Sequence, residues 1–387
     1  MHWKGDNIMQ TKDHIAVIID AVRSPIGVKH GKMIGIRADE LVAQVIKTLL
    51  NRNKELPVNK IEDVIIGCAF PEGMQGMLLA RGASILAGLP KEVGGKVVNR
   101  FCGSSMDAIH QLDYAINLND ADAGIAGGVE DMFGVPLGGF NPTFHPILYQ
   151  KKYYIGMGET AENLAIEGNI SREEQEEFAI ASHRKALTAW QEGRFDNEVI
   201  PVQFNGKTIE RDEGPREPDI EKIKRLEPAF NIKGTVTAAT SSPYSIGAAA
   251  LLLMSSNLAK ELNIKPRARI ISRAVAGVDW TRMGIGPLPA TEKVLKRAGL
   301  KLQDIDVIEL NEAFAAQSLY VIKKGNWPKE KINFNGGAIA LGHPLGCSGA
   351  RILTTLLNIM EQQDGQLGLA TMCIGGGQGI ATIIERN

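Results

Sequence analysis

Three residues able to do covalent chemistry lie in glycine-flanked turns of the 387-residue sequence: Cys102, His343 and Cys373. Cys102 follows the β-branched pair Val97-Val98, opens a Gly/Ser-rich turn and precedes a helical pattern over 106–112. At such a junction, unpaired backbone N–H groups and the positive end of the helix dipole favour thiolate, which is the nucleophilic form of cysteine. The alternative is that Cys102 is a small buried apolar residue, as most free cysteines are.

A cysteine nucleophile needs a base, and His343 is a candidate because imidazole titrates in the right range. Taken alone, however, the sequence Gly342-His343-Pro344 is more often a structured turn than a catalytic base. Cys373 is followed two residues later by Gly375. A thiol there could exchange a proton with a carbon centre while glycine-loop N–H groups bind an oxyanion. Alternatively, Cys373 simply ends a core strand.

Two other kinds of site are disfavoured. The glycine-rich stretch 375–379 suggests a dinucleotide-phosphate loop, but only eight residues follow it and 381–384 has the pattern of a strand. No helix N-terminus therefore remains to hold a pyrophosphate. The cysteines are not paired at the short spacing of zinc sites, so no metal is expected.

The elements that must position these turns alternate between strand and helix patterns. Before residue 131, strands are predicted at 14–19, 64–67, 97–98 and 124–128, and helices at 38–50, 76–89 and 106–118. After residue 234, strands are predicted at 248–254, 268–271, 307–310, 367–373 and 381–384, and helices at 289–298 and 348–360. Near-continuous β-branched runs are typical of sheets covered by helices on both faces, so this rhythm predicts a layered α/β protein.

Between residues 131 and 234 the character of the sequence changes. A glycine- and aromatic-rich loop over 133–154 is followed by a capping box, in which Ser171 caps a helix and Glu174 reaches back. That helix is predicted to run to about Trp190, and the charged stretch 205–225 lacks periodicity. We expect an inserted, polar and helical segment, or lid, rather than a second sheet domain.

The two ends of the chain echo one another. Corresponding patterns are acidic turns leading into β-branched strands (62–66 and 304–308), Gly/Ser turns opening helices (102–105 and 346–349) and strands ending in paired glycines (127–128 and 375–376). One α/β unit used twice, with a site between the copies, is the predicted arrangement. The predicted domains are a flexible leader (1–13), an N-terminal half (14–130 plus 235–276), an inserted loop domain (131–234) and a C-terminal half (277–387).

Composition excludes several classes of protein. A net charge of −1 disfavours nucleic acid or an acidic membrane as the main partner. Four cysteines in a chain this long indicate no disulfide framework, and therefore a reducing compartment. The N-terminal residues lack the apolar core of a signal peptide, and no run is apolar for long enough to span a bilayer. We expect a cytoplasmic protein without an integral membrane segment.

Four motifs, in order, resemble those of thiolases. They are Val98-Asn99-Arg100-Phe101-Cys102, Asn311-Glu312-Ala313-Phe314, the stretch 335–344 that ends in Gly342-His343-Pro344, and Cys373-Ile374-Gly375-Gly376-Gly377. The resemblance also includes 23–27, 160–163 and 283–287. Four ordered motifs are far more specific than one, and 336–379 is most similar to the 3-ketoacyl-CoA thiolases of fatty-acid β-oxidation.

The resemblance implies a thiolase fold, in which two similar α/β halves form a five-layered αβαβα arrangement with an inserted loop domain. It also implies that His343 deprotonates Cys102, whose thiolate attacks the 3-keto carbon of a 3-ketoacyl-CoA. Acetyl-CoA then leaves as an enolate that Cys373 protonates, and the thiol of a second CoA removes the acyl group. A water held by Asn311, with His343, would bind the enolate oxygen, and the N–H groups of Cys102 and Gly375 would bind the oxygen of the attacked carbon.

Coenzyme A would be a co-substrate, and no permanently bound cofactor is implied. The positions that match the pantetheine channel of thiolases are Met157, Phe230, Ala238, Ser242 and Phe314. Ordinary packing is an equal alternative for Phe230 and Ala238. The basic run Lys222, Lys224 and Arg225 could meet CoA phosphates, although a solvated face is the more common use of such a run.

The chain departs from the family pattern at three positions. Ile246 lies where thiolases usually have an aspartate, Glu227 where arginine is common, and Gly156 where a larger side chain, often histidine, is usual. These departures affect the expected CoA contacts and acyl-chain preference rather than the catalytic core.

The resemblance further implies a homodimer or homotetramer, and it is compatible with docking to a hydratase/dehydrogenase partner. Two alternatives are an acetoacetyl-CoA thiolase working in the condensing direction and a non-catalytic, thiolase-like acyl-CoA-binding subunit. A ketoacyl synthase is disfavoured because those enzymes have histidine or asparagine at the position of Cys373.

Overall fold

A computed structural model describes residues 14–386, and the predicted flexible leader lies outside the described residues. The strands are β1 (Ala16–Arg23), β2 (Gly27–Val28), β3 (Asp63–Gly67), β4 (Gly94–Val98), β5 (Ala123–Asp131), β6 (Val202–Phe204), β7 (Lys207–Ile209), β8 (Ser245–Ser255), β9 (Ala268–Gly277), β10 (Val307–Leu310), β11 (Leu367–Ile374) and β12 (Gln378–Arg386). The α-helices are α1 (Ala38–Arg52), α2 (Leu79–Leu86), α3 (Ser104–Asn117), α4 (Pro146–Gln150), α5 (Met157–Glu167), α6 (Arg172–Gln191), α7 (Ile220–Lys224), α8 (Ser256–Glu261), α9 (Pro287–Ala298), α10 (Ala315–Gly325), α11 (Ala338–Leu341) and α12 (Ser348–Gln362).

The main sheet consists of two half-sheets joined at one position. Its strand order is β10-β11-β12-β9-β1-β8-β5-β3-β4, with β2 paired to β8. Strands β9 and β1 meet only through the pair Ala268 and Ile18. Each half has a parallel pair (β3 with β5, β10 with β11) followed by two antiparallel pairs (β5-β8-β1 and β11-β12-β9). The predicted repeat of one α/β unit is therefore present in the strand topology.

Helices form three layers around these half-sheets. Helices α1 and α2 cover the outer face of the N-terminal half, while α9 and α10 cover that of the C-terminal half. Helices α3 and α12 lie between the halves and each contacts strands of both. The α3–α12 contact is close, because a Cβ at Gly349 would lie 2.5 Å from the backbone nitrogen of Met106. The predicted five-layered αβαβα fold is confirmed.

The segment between β5 and β8 contains the four helices α4–α7 and the small β6–β7 hairpin, joined by loops. The predicted capping box is present at the start of α6: Ser171 Oγ accepts from the Glu174 N–H at 3.2 Å, and Glu174 accepts from the Ser171 N–H at 3.0 Å. No helix among residues 14–386 is both long and apolar enough to cross a membrane.

The helix predicted at 76–89 is shorter in the structure. A 3₁₀ turn occupies Gly73–Gln75, and α2 begins only at Leu79. Met77 and Leu78 separate them with left-handed φ angles of 48° and 58°, a conformation that interrupts a right-handed helix. Periodicity alone could not indicate this local break.

Candidate active site

Cys102 lies in a tight turn between β4 and α3, at the predicted strand-to-helix junction. Phe101 adopts a left-handed φ of 43°. The Ser104 hydroxyl accepts from the Arg100 N–H at 2.8 Å and donates to the Phe101 carbonyl at 2.6 Å. The Asn99 side chain accepts from the Phe101 N–H at 2.9 Å. The side chains of Ser104 and Asn99 therefore satisfy backbone hydrogen-bonding groups of Arg100 and Phe101, and these bonds stabilise the strained turn.

The Cys102 sulfur is buried next to backbone donors. Burial raises the pKa of Cys102 to about 11, while hydrogen bonds from the N–H groups of Gly375 and of Cys102 itself lower it. The structure thus brings Cys102 and Gly375 together across the two halves. The helix-terminus field does not outweigh burial here, so forming the thiolate requires a base.

His343 lies in a turn between α11 and α12 whose polar contacts fix its tautomer. Its Nδ1 is 2.6 Å from Ser348 Oγ, and that hydroxyl lies 2.8 Å from the Pro344 carbonyl, to which it donates. Because a hydroxyl has one proton to donate, Nδ1 must carry the hydrogen of its bond to Ser348, which leaves a lone pair on Nε2. The His343 N–H also donates to Ser245 Oγ at 3.1 Å.

The environment of His343 keeps the ring neutral. Burial, and next the positive charge of Arg351, lower the pKa of His343 to about 3. The chain just after this turn packs against the first turn of α3, where the Ala350 N–H donates to Ser105 Oγ at 2.8 Å. The uncharged imidazole has the lone pair that proton transfer needs, but a pKa this low makes it a weak base toward Cys102.

Asn311 follows β10 directly and faces the histidine ring. Its Nδ2 lies 3.5 Å from both Nδ1 and Nε2 of His343. Since Nδ2 is no nearer to Nε2, which has the lone pair, than to Nδ1, the amide is not aligned with that lone pair and its protons are available to another acceptor. The Asn311 N–H donates to the carbonyl of Thr371 at 3.0 Å, which ties this residue to β11.

Cys373 lies on β11, opposite Gly379 of β12. Burial, and next the charge of Cys102, raise the pKa of Cys373 well above that of an ordinary thiol, so it is protonated at neutral pH. The influence of one cysteine on the other reflects their proximity. The structure therefore gathers both thiols at the ends of strands from opposite halves.

Four of the five predicted pantetheine-channel residues form a corner next to Cys373. Phe314, with Met157 packed against it, shares an apolar cluster with Cys373. The rings of Phe230 and Phe314 meet edge to face at 5.8 Å, and the Ser242 N–H donates to Ala313, the neighbour of Phe314, at 3.0 Å.

The fifth residue, Ala238, lines a cavity of about 320 Å³ between α6 and α7. Arg216 and Lys222 line the same cavity, as does His183. Burial, and next the charge of Arg216, lower the pKa of His183 to about 4. Glu217 and Asp219 line it too, so the cavity is of mixed charge beside an apolar wall, and Arg216 and Lys222 are the side chains in it that can pair with a phosphate.

The three departures from the family pattern have different environments. Ile246 is fully buried and pairs with Gly27 across β8 and β2. A Cβ atom added at Gly27 would lie only 2.7 Å from Cγ2 of Ile246. At this position, where thiolases usually have an aspartate, the buried Ile246 side chain packs against apolar neighbours and no charged group is buried. Glu227 is exposed, and Gly156 is the N-cap residue of α5 without a side-chain capping bond.

Several residues that support the site were not singled out from the sequence. Ser348 and Ser245 contact His343, and Arg351 lies 3.5 Å from Asn311. Their only sequence signal was a polar or charged residue within an otherwise apolar run, which Arg351 provides in α12. Among residues 14–386, no group of three or more His, Cys, Asp or Glu side chains could hold a metal ion.

The sequence matches two adjoining family models. The model for the N-terminal domain of thiolase matches residues 16–257, and the model for the C-terminal domain of thiolase matches residues 264–386. The chain belongs to the thiolase family. The resemblance seen in the four motifs is thereby confirmed, and the thiolase family match extends over nearly the whole described chain.

Named relatives and a solved structure are similar to this thiolase-family chain over nearly its whole length. It is 51% identical over 383 residues to a 3-ketoacyl-CoA thiolase of Aeromonas hydrophila, covering 96% of this chain and 99% of the relative. It is 54% identical over 381 residues to a 3-ketoacyl-CoA thiolase of Acinetobacter baumannii, covering 96% and 97%. The crystal structure of an acetyl-CoA acetyltransferase of Bacillus anthracis superposes with a TM-score of 0.88 at 38% identity, covering 97% of this chain and 99% of that one.

Proposed function

We propose that this chain is an acyltransferase, a 3-ketoacyl-CoA thiolase that cleaves 3-ketoacyl-CoA with CoA to give acetyl-CoA and a shortened acyl-CoA. The observation that carries the proposal is the proximity of the two thiols, of which Cys102 accepts from the Gly375 N–H, while the chain just after the neutral His343 packs against the first turn of α3. The names of the relatives at 51% and 54% identity support the same substrate class.

In the first step, Nε2 of His343 takes the proton of Cys102 and the thiolate attacks the 3-keto carbon. The N–H groups of Gly375 and Cys102, which already donate to the sulfur, are placed to donate to the oxygen of that carbon as it becomes negative. The nucleophile thus receives donors that also stabilise the tetrahedral intermediate.

Cleavage of the C2–C3 bond leaves its electron pair on acetyl-CoA as an enolate. Cys373 retains its proton at neutral pH, because burial raises its pKa, and is therefore the acid that protonates C2. A water on the free protons of Asn311 Nδ2, together with His343, would hold the thioester oxygen of the enolate. The thiol of CoA then attacks the acyl-Cys102 thioester, with His343 again accepting a proton.

The CoA molecule would occupy the corner beside Cys373 and the cavity beyond it. Met157, Phe314 and Phe230 offer apolar surface for pantetheine. Arg216 and Lys222, which line the cavity together with Ala238, would contact the nucleotide phosphates.

Wild-type protein tests this proposal directly. Acetoacetyl-CoA and a longer 3-ketoacyl-CoA are incubated with and without CoA, and thioester products are measured by mass spectrometry. Cleavage should require CoA, and omission of CoA should leave an acyl adduct on the peptide that contains Cys102. The absence of CoA-dependent cleavage of either substrate would contradict the proposal and favour a non-catalytic acyl-CoA-binding subunit.

A second candidate, an acetoacetyl-CoA thiolase that condenses two acetyl-CoA molecules, is favoured by the structural similarity to the Bacillus anthracis acetyl-CoA acetyltransferase. The same residues would catalyse both directions. Cleavage of acetoacetyl-CoA together with inactivity toward the longer substrate would select this candidate.

We further propose that the chain forms a homo-oligomer through the β4 edge. Among the described residues, β4 ends the sheet and pairs only with β3. Near it, α2 exposes Ile85 and Leu86, and the Met77 side chain is 99% exposed. An open edge beside apolar side chains is the usual setting for pairing with a second copy, and light scattering measures the resulting mass.

The cellular setting is also a proposal. All four cysteines are free thiols, which supports the cytoplasm as the working compartment. A role in fatty-acid β-oxidation and docking to a hydratase/dehydrogenase partner stay predictions. Copurification of such an activity with the full chain would test both.

A further inference from the structure

Arg351 is a buried cation beside the proposed catalytic residues, and the mechanism above gives it no role. Its side chain is 1% exposed. Its Nη1 lies 3.5 Å from a Glu309 oxygen and its Nη2 lies 3.5 Å from Asn311 Oδ1. Its Nε has no hydrogen-bond partner within residues 14–386. Burying a guanidinium with such long contacts is costly, so the cation calls for an explanation beyond stability.

The first consequence of this cation concerns the orientation of Asn311. A guanidinium has only donors, so the Asn311 atom that faces it must be the oxygen. This assignment turns Nδ2 toward His343, as observed at 3.5 Å. The reverse rotamer would present an acceptor to the water that binds the enolate, which would take up one of the water's two protons and remove the donor that polarises it.

The second consequence concerns charge. The charged groups that act on Arg351 and on its partner Glu309 come from several elements and are Arg23, Lys185, Glu198 and Glu312. Burial raises the pKa of Glu309 to about 8 despite the neighbouring Arg351, so this carboxyl holds a proton at pH 7. Glu198 and Glu312 still act on the charge of Arg351 from other elements, whereas the atom that its Nη2 meets is the neutral oxygen of Asn311.

We propose that Arg351 is a positioning residue for carbon–carbon bond cleavage, because its guanidinium holds the Asn311 amide with Nδ2 turned toward the enolate oxygen. This inference rests on the proposed thiolase function. It assigns Arg351 to one of the two oxyanion-binding sites and not to the other, since the site made by Cys102 and Gly375 contains no atom of Asn311.

Two reactions, thiolysis and CoA exchange, distinguish the roles of the two oxyanion-binding sites. Thiolysis passes through the enolate and needs Asn311. Exchange of labelled CoA into acetyl-CoA only transfers an acetyl group to Cys102 and back, which breaks and forms C–S bonds without an enolate. A loss of general structure would slow both reactions, whereas misorientation of Asn311 would slow thiolysis alone.

The test uses the variant Glu309→Gln/Arg351→Met, which leaves no unpaired carboxylate in the core, with Glu309→Gln as its matched control. We expect the control to keep both activities. Adding Arg351→Met should lower the kcat of thiolysis by about 30- to 300-fold, in the range for a lost oxyanion donor, with KM and CoA exchange changed by less than about threefold. Circular dichroism checks that each variant is folded.

A double-mutant cycle completes the design. In an Asn311→Ala background, adding Glu309→Gln/Arg351→Met should cause little further loss of thiolysis, because the side chain through which Arg351 acts is already gone. Multiplicative losses in that background, or equal losses of exchange and thiolysis, would overturn the inference. Those outcomes differ from failure of the proposed function, in which the wild-type protein itself would not cleave 3-ketoacyl-CoA.

Discussion

The turns that precede α3 and α12 occupy corresponding places in the two halves, and each carries a buried cysteine. Cys102 lies two residues before α3, and Cys347 lies one residue before α12. The Cys102 sulfur accepts hydrogen bonds from N–H groups, including that of Gly375, whereas burial, with a smaller effect of Glu130, raises the pKa of Cys347 to about 12 against the charge of Arg351. A position before a helix N-terminus therefore does not by itself distinguish Cys102, the proposed nucleophile, from Cys347. Donors supplied by the opposite half make the difference.

Replacing each sulfur in turn is the most direct test of the difference between Cys102 and Cys347. Cys102→Ser should lower CoA-dependent cleavage by roughly 10⁴-fold or more, since removing a nucleophile has effects of this order. Cys347→Ser, the matched control, should retain activity within a few fold. Initial rates with acetoacetyl-CoA measure both, and similar losses in the two variants would remove the functional distinction between the turns.

The donor from the opposite half can be removed separately. Gly375→Pro deletes the N–H that reaches Cys102, and kcat should fall by about 10²- to 10³-fold. Gly375→Ala retains the N–H, and its Cβ would meet only Met157 and Phe101 at 3.6 Å, so its rate should stay much closer to wild type. Equal rates for the two variants would argue against a role for this N–H.

Alkylation compares the two thiols without substrate. Because thiolate is the reactive form and the pKa of Cys102 is about 11, its alkylation by iodoacetamide should rise about tenfold per pH unit between pH 7 and pH 10. Cys347, buried and with a still higher pKa, should stay unmodified. Peptide mass spectrometry after timed quenching gives both rates, and a pH-independent rate at Cys102 would indicate a thiolate already formed at pH 7.

The smallest effect is expected at Ser348, the polar residue that the second turn contributes. Ser348→Ala leaves the His343 Nδ1–H without its acceptor, and a buried donor without a partner costs about 1–3 kcal/mol. The kcat/KM of thiolysis should therefore fall about tenfold or more, and the same change in a His343→Ala background should cost much less. Steady-state kinetics of the four proteins measures this coupling.

The sequence supported the prediction of elements more fully than that of contacts. The turn at Cys102, the capping box of α6 and the alternating strands and helices depend on local pattern, and each has the predicted form in the structure. Which atoms hold the reactive groups depends on tertiary packing. Gly375 contacts Cys102, and Arg351 contacts Asn311. In each pair the two residues are at least 40 positions apart in the sequence. No local periodicity encodes such pairs.

The short form of α2 teaches the same lesson on a smaller scale. Residues 76–89 have the composition of one helix, yet Met77 and Leu78 adopt left-handed angles and expose their side chains. Propensity is a weak prior that a neighbouring surface can override. Ile246 shows the opposite case, since an unusual residue is accommodated by simple apolar packing.

The single residue pair Ile18–Ala268, through which β1 and β9 meet, has a consequence for how the protein folds. Since so little backbone pairing connects the two half-sheets, assembly depends on burying α3 against α12, and neither helix can cover its inner face while its half is alone. Cys102 belongs to one half, while His343 and Gly375 belong to the other. The proposed base and the N–H donor therefore reach the sulfur only once the two halves have docked.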